Sequence, residues 1–441
     1  MRRSIVLFAL LMAPSLAVAQ GSDWPKFLGP LGTSVSTEKG IRTPWPKDGP
    51  KFVWHKDVGP GYAMPVIAKG KLYHFERVGK TLRLSCLDAT TGVQHWQFDY
   101  PSVYKDQFGY NSGPRCSPIL DGEHVYTYGV EGMLHCLKAD TGKPVWAYNA
   151  NKEFSVLQNF FGVGSTPVIE GDLLIVQVGG SPDGSLPRNL FDRTLKSNGS
   201  AVVAFDKRTG KIAYKFGEDL ASYASPVLAT MHNRRYCFVF ARAGLLAFNP
   251  ATGKQDFHFS WQSDDVESVN ASNPVIVGDK VFISETYGPG SALIRVKKEG
   301  GYEVLREESK KFKKTMQIHW MTPIYHDGYL YGSSGRHTQN ADLRCIDFET
   351  GKIMWSERGL TRTSLLMVDG HFVCLGEDGT LRLLKVNAQK FDEVSSIELK
   401  NPLTKQPLLD YPCWAAPIVS NGLMYLRGEE RLVCVELIAK K

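Results

Sequence analysis

Leu87-Asp88-Ala89-Thr90-Thr91-Gly92, followed by Trp96, belongs to a short motif that recurs along this chain of 441 residues. Glycine permits the positive φ of a tight turn between antiparallel strands, while Asp and Thr bond the turn backbone. In every copy an aromatic residue stands four positions after the glycine: Trp96, Trp146, Tyr214, Phe257 and Trp355. That residue falls on the next strand, where it can fill space between stacked sheets. The repeat therefore predicts an array of small β-sheets that cover one another, as in a β-propeller.

A second repeat marks where each unit begins. A small residue or Met followed by proline precedes an apolar strand and a turn, at Met64-Pro65, Ser117-Pro118, Thr166-Pro167, Ser225-Pro226, Asn273-Pro274, Thr322-Pro323 and Ala416-Pro417. Proline is tolerated at the first residue of a strand, so these pairs fit the start of an innermost strand. Leu365-Leu366 replaces the pair in one unit. These starts predict eight blades. Seven is the alternative, because the unit from Thr363 to about Leu399 lacks both proline and Thr-Gly.

The last unit is too short for four strands. After Ala416-Pro417 it offers apolar segments near 418–419, 423–426 and 432–437, and no outer strand. The stretch from Lys51 to Lys56, which contains Trp54, stands alone before the first unit and can supply that strand. Closing the ring removes exposed sheet edges. We therefore predict an all-β, eight-bladed β-propeller over residues 51–441, closed by pairing of the strand near Trp54 with the C-terminal strands. An N-terminal segment (20–50) precedes it.

Residues 1–19 have the pattern of a secretory signal peptide. Arg2 and Arg3 precede a short apolar stretch, and Ala17-Val18-Ala19 fits a small-x-small cleavage site. We therefore expect cleavage after Ala19 and a periplasmic or secreted protein. No cysteine follows that site and no other stretch is apolar enough to span a bilayer, which predicts no membrane anchor. The net charge of +7 is modest, so we expect no nucleic-acid partner, and we expect a monomer.

The cysteine pattern favours packing over bridging. Cys86, Cys136, Cys345 and Cys434 occupy one repeat position in four different units, as expected of a small buried site. Bridging of the remaining cysteines, Cys116, Cys237, Cys374 and Cys413, stays open. The sequence contains no Cys-x-x-Cys, His-Glu-x-x-His, Gly-x-Ser-x-Gly, P-loop or contiguous calcium-loop motif, so no metal site is predicted.

Residues just before the units should cluster around one mouth of the ring. Three positions before each proline, or before Leu366 in the unit that lacks one, stand Tyr62, Arg115, Gly164, Tyr223, Ala271, Trp320, Thr363 and Trp414. Such rings can stack a planar quinone or a sugar, or grip a peptide, with arginine holding an anion. Adding three residues that stand one position earlier, we predict a ligand-binding funnel mouth made of Tyr62, Arg115, Tyr223, Asn270, His319, Trp320, Arg362 and Trp414. The alternative is that the aromatic residues plug the channel and pack between blades.

No catalytic residue can be assigned from the sequence. His319 could act as an acid or base near neutral pH, but a single histidine before a strand is more often a hydrogen-bonded structural residue. Two long connections should lie near the mouth, residues 100–114 and residues 179–199. The second is a candidate partner-binding or lid segment, with a solvated loop as its alternative.

Gly132-Met133-Leu134-His135-Cys136-Leu137, continuing to Trp146, resembles the repeat of the pyrroloquinoline-quinone (PQQ)-like β-propeller family. The segment Asp23–Pro30 also resembles the start of exported members without an assigned activity. The resemblance implies either a quinoprotein dehydrogenase, with PQQ and calcium in the central funnel, or a cofactor-free scaffold like the outer-membrane assembly propeller. The chain lacks the adjacent cysteines and the Asp/Glu/Asn calcium set of the first group, and the lipid-bearing cysteine of the second.

These features together favour an exported, non-catalytic binding or scaffold propeller that holds a protein, peptide or glycan, without an assigned cofactor. A PQQ- and calcium-dependent oxidoreductase with a divergent funnel site is the first alternative, motivated by the aromatic ring and Arg115. A carbohydrate hydrolase or lyase is the second alternative. Fold alone does not choose among them.

Overall fold

The chain forms a ring of eight β-sheets, or blades. A computed structural model describes residues 22–157, 160–182, 194–265 and 268–439. Each blade contains four antiparallel strands, and one blade gains a fifth strand. The prediction of an eight-bladed propeller is confirmed, and the seven-bladed alternative is wrong. The predicted signal peptide (1–19), its cleavage site and residues 183–193 of the long connection lie outside the described residues.

The first half of the ring follows chain order. Strands β1 (Val35–Ser36) and β2 (Lys51–Asp57) come first but join blades 7 and 8. Blade 1 contains β3 (Val66–Ala68), β4 (Lys71–Val78), β5 (Thr81–Asp88) and β6 (Gln94–Pro101). Blade 2 contains β7 (Ile119–Asp121), β8 (His124–Tyr128), β9 (Met133–Lys138) and β10 (Pro144–Asn149), and the short helix α1 (Ala150–Phe154) follows it. Blade 3 contains β11 (Val168–Glu170), β12 (Leu173–Gln177), β13 (Val202–Asp206) and β14 (Ile212–Phe216). Blade 4 contains β15 (Val227–Met231), β16 (Arg234–Phe240), β17 (Gly244–Phe248) and β18 (Gln255–Ser260).

The second half continues in the same order. Blade 5 contains β19 (Val275–Val277), β20 (Lys280–Ser284), β21 (Ser291–Val296) and β22 (Tyr302–Glu307). Blade 6 contains β23 (Ile324–His326), β24 (Tyr329–Ser334), β25 (Asp342–Asp347) and β26 (Ile353–Arg358). Blade 7 contains β27 (Thr363–Val368), β28 (His371–Gly376), β29 (Thr380–Lys385) and β30 (Glu393–Glu398), and blade 8 contains β31 (Ile418–Ser420), β32 (Leu423–Arg427) and β33 (Arg431–Glu436). No helix in the described part of the chain is long and apolar enough to cross a membrane.

The ring closes where the sequence predicts. Strand β2 pairs antiparallel with β33, with Trp54 opposite Cys434 and Lys56 opposite Leu432. It becomes the outer strand of blade 8, so residues from both ends of the propeller form one sheet. This pairing removes the sheet edge that an incomplete last blade would expose.

At five of the eight junctions between blades, an aromatic residue on the outer strand of one blade is hydrogen-bonded to the turn before the outer strand of the next blade. The indole N–H of Trp96, on the outer strand of blade 1, donates to the Ala139 carbonyl in the turn of blade 2 at 3.2 Å. Gly142 of that turn has φ +70°, and a Cβ there would lie 2.5 Å from the Trp96 ring. Glycine is therefore required both by the backbone and by the close approach of the ring. The same contact recurs at Trp54–Ala89, Trp146–Lys207, Tyr214–Pro250 and Trp355–Asn387.

The small residues before the prolines form a hydrogen-bonded belt around the channel. In each of blades 1 to 5, the backbone N–H of the residue before proline donates to the side chain of its equivalent in the next blade. The backbone N–H of Ser117 donates to Thr166 Oγ1 at 3.0 Å, and that of Thr166 donates to Ser225 Oγ at 3.0 Å. The other links run from Met64 to Ser117, from Ser225 to Asn273 and from Asn273 to Thr322. Short hydroxyl and amide side chains are thus selected because they accept these bonds.

The N-terminal segment (residues 22–50 as described) fastens blades 1, 7 and 8 from the end opposite the mouth. Trp24 exchanges backbone hydrogen bonds of 2.8 Å with Ile67 of blade 1, and β1 pairs in parallel with β27 of blade 7. The buried carboxylate of Glu38 accepts from the backbone N–H groups of Asn421 and Gly422, both at 2.7 Å, in a hairpin of blade 8. This segment therefore closes one end of the central channel.

All eight cysteines are buried and unpaired. The four at the shared repeat position face a tyrosine on the neighbouring strand, as in the cross-strand pair Tyr73 and Cys86. Burial raises the pKa of the Cys86 thiol to about 11. The sequence left open whether the other four cysteines form disulfide bonds. All four are buried free thiols: Cys116, Cys237, Cys374 and Cys413.

Candidate functional site

Antiparallel order brings the predicted mouth residues to one end of the ring. Within a blade, the start of the first strand, the connection between the second and third strands, and the exit to the next blade all lie at the same end. A cavity of about 260 Å³ lies there, around the channel axis. Seven of the eight predicted residues line it: Tyr62, Arg115, Tyr223, His319, Trp320, Arg362 and Trp414.

Asn270 occupies a different environment. Its side chain is buried and its Nδ2 donates to the Ala241 carbonyl at 2.7 Å. Its own carbonyl accepts from the backbone N–H groups of Tyr223 and Ala224, both at 2.9 Å. The structure therefore places Asn270 behind the cavity, where it fixes the backbone that carries Tyr223.

One side of the cavity is a wall of adjoining, mutually tilted aromatic rings and guanidinium groups. The Tyr62 and Trp414 rings are 4.8 Å apart, and the Trp414 and Trp320 rings are 5.3 Å apart. Arg115 lies 5.4 Å from the centre of the Tyr62 ring, and Arg362 lies 4.5 Å from that of Trp320. Each of the three rings is half-buried. They pack against one another and still face the cavity, so they form neither a dry plug nor an open channel.

Buried carboxylates hold the wall arginines from behind. Glu377 accepts from Arg362 Nη2 at 2.7 Å, from the Trp414 indole N–H at 2.9 Å and from Thr338 Oγ1 at 2.7 Å. Burial alone would raise the pKa of Glu377, but these hydrogen bonds hold it below its usual value. Arg115 is paired in the same way with Asp106, at 3.4 Å. Pairing of this kind fixes the direction of each guanidinium group before any ligand arrives.

Sequence analysis did not identify Glu377. It lies in the connection between β28 and β29, at the mouth end of blade 7, where other blades carry different loops. The signal that could have revealed it is the acidic pair in Gly376-Glu377-Asp378-Gly379, placed at the end of a strand that faces the mouth. Arg336, in the connection between β24 and β25, was not predicted either. It stacks 4.5 Å over the Tyr287 ring and pairs with Asp265 at 3.0 Å.

His319 bridges two parts of the wall and is neutral. Its Nδ1 lies 3.2 Å from Arg362 Nη1, and its Nε2 lies 3.1 Å from the Tyr287 hydroxyl. Because arginine can only donate, Nδ1 is the acceptor and the ring proton lies on Nε2. Burial, reinforced by Arg362 and Arg336, lowers the pKa of His319 to about 3. The histidine therefore positions its neighbours and has no nitrogen left to take up a proton near neutral pH.

The opposite side and the floor of the cavity are apolar. The Tyr223 hydroxyl accepts from the Phe161 backbone N–H at 2.8 Å, and its ring packs against Gly164, where a Cβ would approach to 2.5 Å. Phe27 and Leu28 of the N-terminal segment reach the cavity from below. The cavity is therefore a pocket with one polar wall, one apolar wall and a closed end.

Aromatic residues continue from the pocket to the protein surface. Tyr110 is 43% exposed and its ring lies 5.5 Å from that of Trp414. Tyr411 is 58% exposed and 6.4 Å from the same ring. Phe108 lies beyond Tyr110, 6.1 Å from Phe161. We refer to Phe108, Tyr110 and Tyr411 as the aromatic rim.

The pocket has groups that suit a planar quinone but lacks those that a calcium ion beside it would need. Flat rings and arginines suit a planar carboxylated molecule. Calcium takes roughly six to eight oxygen ligands, chiefly carboxylates and carbonyls. Among the described residues, no Asp or Glu lines the pocket and no group of three or more His, Cys, Asp or Glu is placed to hold a metal. The carboxylates of Asp106, Asp265 and Glu377 already pair with the pocket arginines. The residues therefore do not fit calcium.

Comparison with known proteins identifies two kinds of relative. The outer membrane protein assembly factor BamB of Moranella endobia is 20% identical over 325 residues, which covers 70% of this chain and 72% of that protein. The dehydrogenase subunit of the quinone alcohol dehydrogenase of Gluconobacter oxydans is 28% identical over 173 residues, 38% of this chain. That match spans only 21% of the dehydrogenase subunit.

Solved structures show the same fold at low identity. BamB from Moraxella catarrhalis superposes with a TM-score of 0.58 at 14% identity, covering 88% of this chain and 98% of that one. Quinohemoprotein alcohol dehydrogenase from Comamonas testosteroni superposes with a TM-score of 0.63 at 13% identity, covering 95% and 81%. The family model described as outer membrane protein assembly factor BamB matches residues 80–357, more than half of the sequence. The chain therefore belongs to this family of PQQ-like β-propellers.

Proposed function

We propose that this chain is an exported, non-catalytic binding or scaffold propeller that holds a protein, peptide or glycan at the mouth of its pocket. The observation that carries the proposal is the fixed wall of Tyr62, Trp414, Trp320 and their arginines. Each arginine is held by a carboxylate behind it, and no carboxylate among the described residues lines the pocket. General acid–base catalysis needs a group that can exchange a proton in the site, and His319 is bonded through both nitrogens. A rigid aromatic and donor-rich surface supports binding.

A PQQ- and calcium-dependent oxidoreductase is the second candidate. The partial match to alcohol dehydrogenase subunits and the aromatic wall favour it. The donor set around the pocket does not fit calcium, so we derive no redox step for this chain. A carbohydrate hydrolase or lyase receives no support from the geometry, because glycoside hydrolysis generally uses a pair of carboxylates beside the scissile bond.

Photo-crosslinking tests whether the mouth receives a partner. A photoreactive phenylalanine derivative would replace Tyr411 at the mouth or, as the matched control, Val93 in a turn at the opposite end of blade 1. The two positions are 58% and 62% exposed, so they differ in location more than in accessibility. We expect a discrete crosslinked product in cells from position 411 and none from position 93. Equal products from both positions, or none from 411, would remove the proposal.

Calorimetric titration with PQQ, with and without calcium, separates the two candidates. The binding proposal predicts no calcium-dependent binding and no dye-linked oxidation of alcohols. Saturable binding that requires calcium and is lost in Trp320→Ala would instead make the oxidoreductase the working function. Folding of the variant is checked by circular dichroism, so that loss of binding is not mistaken for unfolding.

A further inference from the structure

We propose that the pocket receives the acidic end of a glycan chain, with a uronate-type sugar inside and the following sugars on the aromatic rim. This inference rests on the proposed binding function and specifies its ligand. It is carried by the donor and acceptor groups of the pocket, by its closed floor and by the continuity of its aromatic surface.

The pocket wall is rich in hydrogen-bond donors and poor in acceptors. Arg115, Arg336 and Arg362 can only donate, and no carboxylate among the described residues faces the pocket. Most N–H groups of Arg115 and Arg362 already donate within the protein, so a ligand is asked for acceptor oxygens at the few that remain. Carboxylate, ring and hydroxyl oxygens of a uronate provide them, whereas an ammonium group would meet three guanidinium groups. Because each of these arginines is paired with a carboxylate, we expect short-range hydrogen bonds to contribute more to uronate binding than long-range electrostatic attraction does.

The flat rings suit the C–H faces of a sugar. Trp320, Trp414 and Tyr62 stand side by side along one wall, with ring centres about 5 Å apart. The closed floor at Phe27 and Leu28 means that a chain can enter only by its end. The volume of about 260 Å³ is enough to admit a small terminal group.

The aromatic rim extends this surface beyond the pocket. Tyr110 and Tyr411 both contact Trp414 and are both exposed, so a chain that leaves the pocket passes over them. A small free molecule would not reach the rim. The rim therefore indicates a ligand that continues outside, which is the property of a polymer end.

The inner edges of the blades do not favour an extended peptide. Peptides commonly bind by adding a strand to a free sheet edge. Here six of the eight inner strands are only three residues long, β15 has five residues, and the longest, β27, already pairs with β1. A peptide would have to bind through its side chains alone.

The test uses calorimetry on the full mature protein with defined probes. The probes are galacturonate, tri-galacturonate, neutral galactotriose and tetraglutamate. We expect tri-galacturonate to bind at least about tenfold more tightly than galactotriose, because charge-assisted hydrogen bonds are lost with the carboxylates. We also expect it to bind at least about tenfold more tightly than the monomer, since each further sugar buries apolar C–H surface on the aromatic rim.

Two variants locate the ligand. Arg115→Gln should remove the preference for the acidic trimer, and Tyr411→Ala should lower trimer affinity to that of the monomer while leaving monomer binding unchanged. Tyr411 is exposed, so this second variant stays informative even if Arg115→Gln fails to fold. Galactotriose binding as tightly as the acidic trimer, or Tyr411→Ala lowering monomer affinity as much as trimer affinity, would overturn the inference.

Failure of the inference can be distinguished from failure of the proposed function. If tetraglutamate binds and the uronates do not, the glycan assignment is wrong and binding at the mouth stands. If no probe binds but position 411 still crosslinks a partner, the glycan assignment is again wrong alone. If no probe binds and position 411 gives no product, both proposals fail.

Discussion

Blades 1 to 6 and blades 7 and 8 are held together by different means. In the first region, each blade is joined to the next one by the same belt of small side chains before proline. In the second region, blade 7 lacks the proline. Contacts of residues that are not part of the repeat hold these blades instead, namely those of Glu38, Glu377 and Arg362. The repeat therefore builds the scaffold, and the place where it breaks supplies Arg362 and Glu377, one of the two arginine–carboxylate pairs of the wall.

The junction of the two regions should be the most sensitive point. Trp54 is buried on the outer strand of blade 8, donates to Ala89 of blade 1 and packs on Gly92. Trp54→Ala should lower the free energy of unfolding by about 3 to 5 kcal/mol, because it creates a cavity where the ring closes. Urea unfolding followed by fluorescence measures this. Trp54→Phe, which keeps most of the packing, is the control, and a loss below about 1 kcal/mol in Trp54→Ala would show that closure does not depend on this contact.

Blades 7 and 8 should depend on one buried carboxylate. Glu377→Gln leaves Arg362 without its ion pair and should cost about 2 to 3 kcal/mol at pH 7, less than removal of a fully buried charge. The pKa of Glu377 is lowered in the folded state, so its contribution is present above its ordinary pKa of 4.5 and is lost as the pH falls below it. We therefore expect the difference between wild type and variant to shrink below about pH 4.5. A difference that is constant from pH 3 to 7 would contradict the assignment.

The belt of blades 1 to 6 should tolerate the loss of one link. Thr166→Val removes the acceptor of the Ser117 N–H, a buried donor, and should cost about 1 to 2 kcal/mol. Thr166→Ser keeps the hydroxyl and is the matched control. Hydrogen exchange of the Ser117 amide gives a local readout, and unchanged protection in Thr166→Val would mean that the belt is not what orders the channel.

The fold could be predicted because the residues that determine it recur in nearly every blade. Glycine, aromatic residue and proline recur with the same spacing, so the eight units and the closing strand at Trp54 could be read without coordinates. The residues before the prolines likewise located most of the pocket lining. The repeat did not reveal that Ser117 and Thr166 are bonded to each other, because a small residue before proline has more than one explanation.

The wall of the pocket could be predicted only in part, for a physical reason. Glu377, Asp106 and Asp265 come from connections of different length, and their partners are brought to them by ring geometry. Asn270 has an amide side chain of the kind that often binds ligands. It lies behind the cavity, however, and its Nδ2 donates to the backbone carbonyl of Ala241. Pairings between loops that are far apart in sequence leave no periodic signal.

The smallest expected effect on stability concerns the aromatic rim. Tyr411 is 58% exposed, and its contact with Trp414 is at the edge of the wall. Tyr411→Ala should therefore change the free energy of unfolding by less than about 0.5 kcal/mol, as is usual for surface substitutions. Glu377→Gln, at the buried carboxylate behind the wall, should lower the free energy of unfolding several times more in the same assay. A loss of 2 kcal/mol or more in Tyr411→Ala would assign the rim to packing. A variant that is as stable as wild type but binds the ligand less tightly would assign the rim to binding. A surface that folding does not require is free to be selected for a partner.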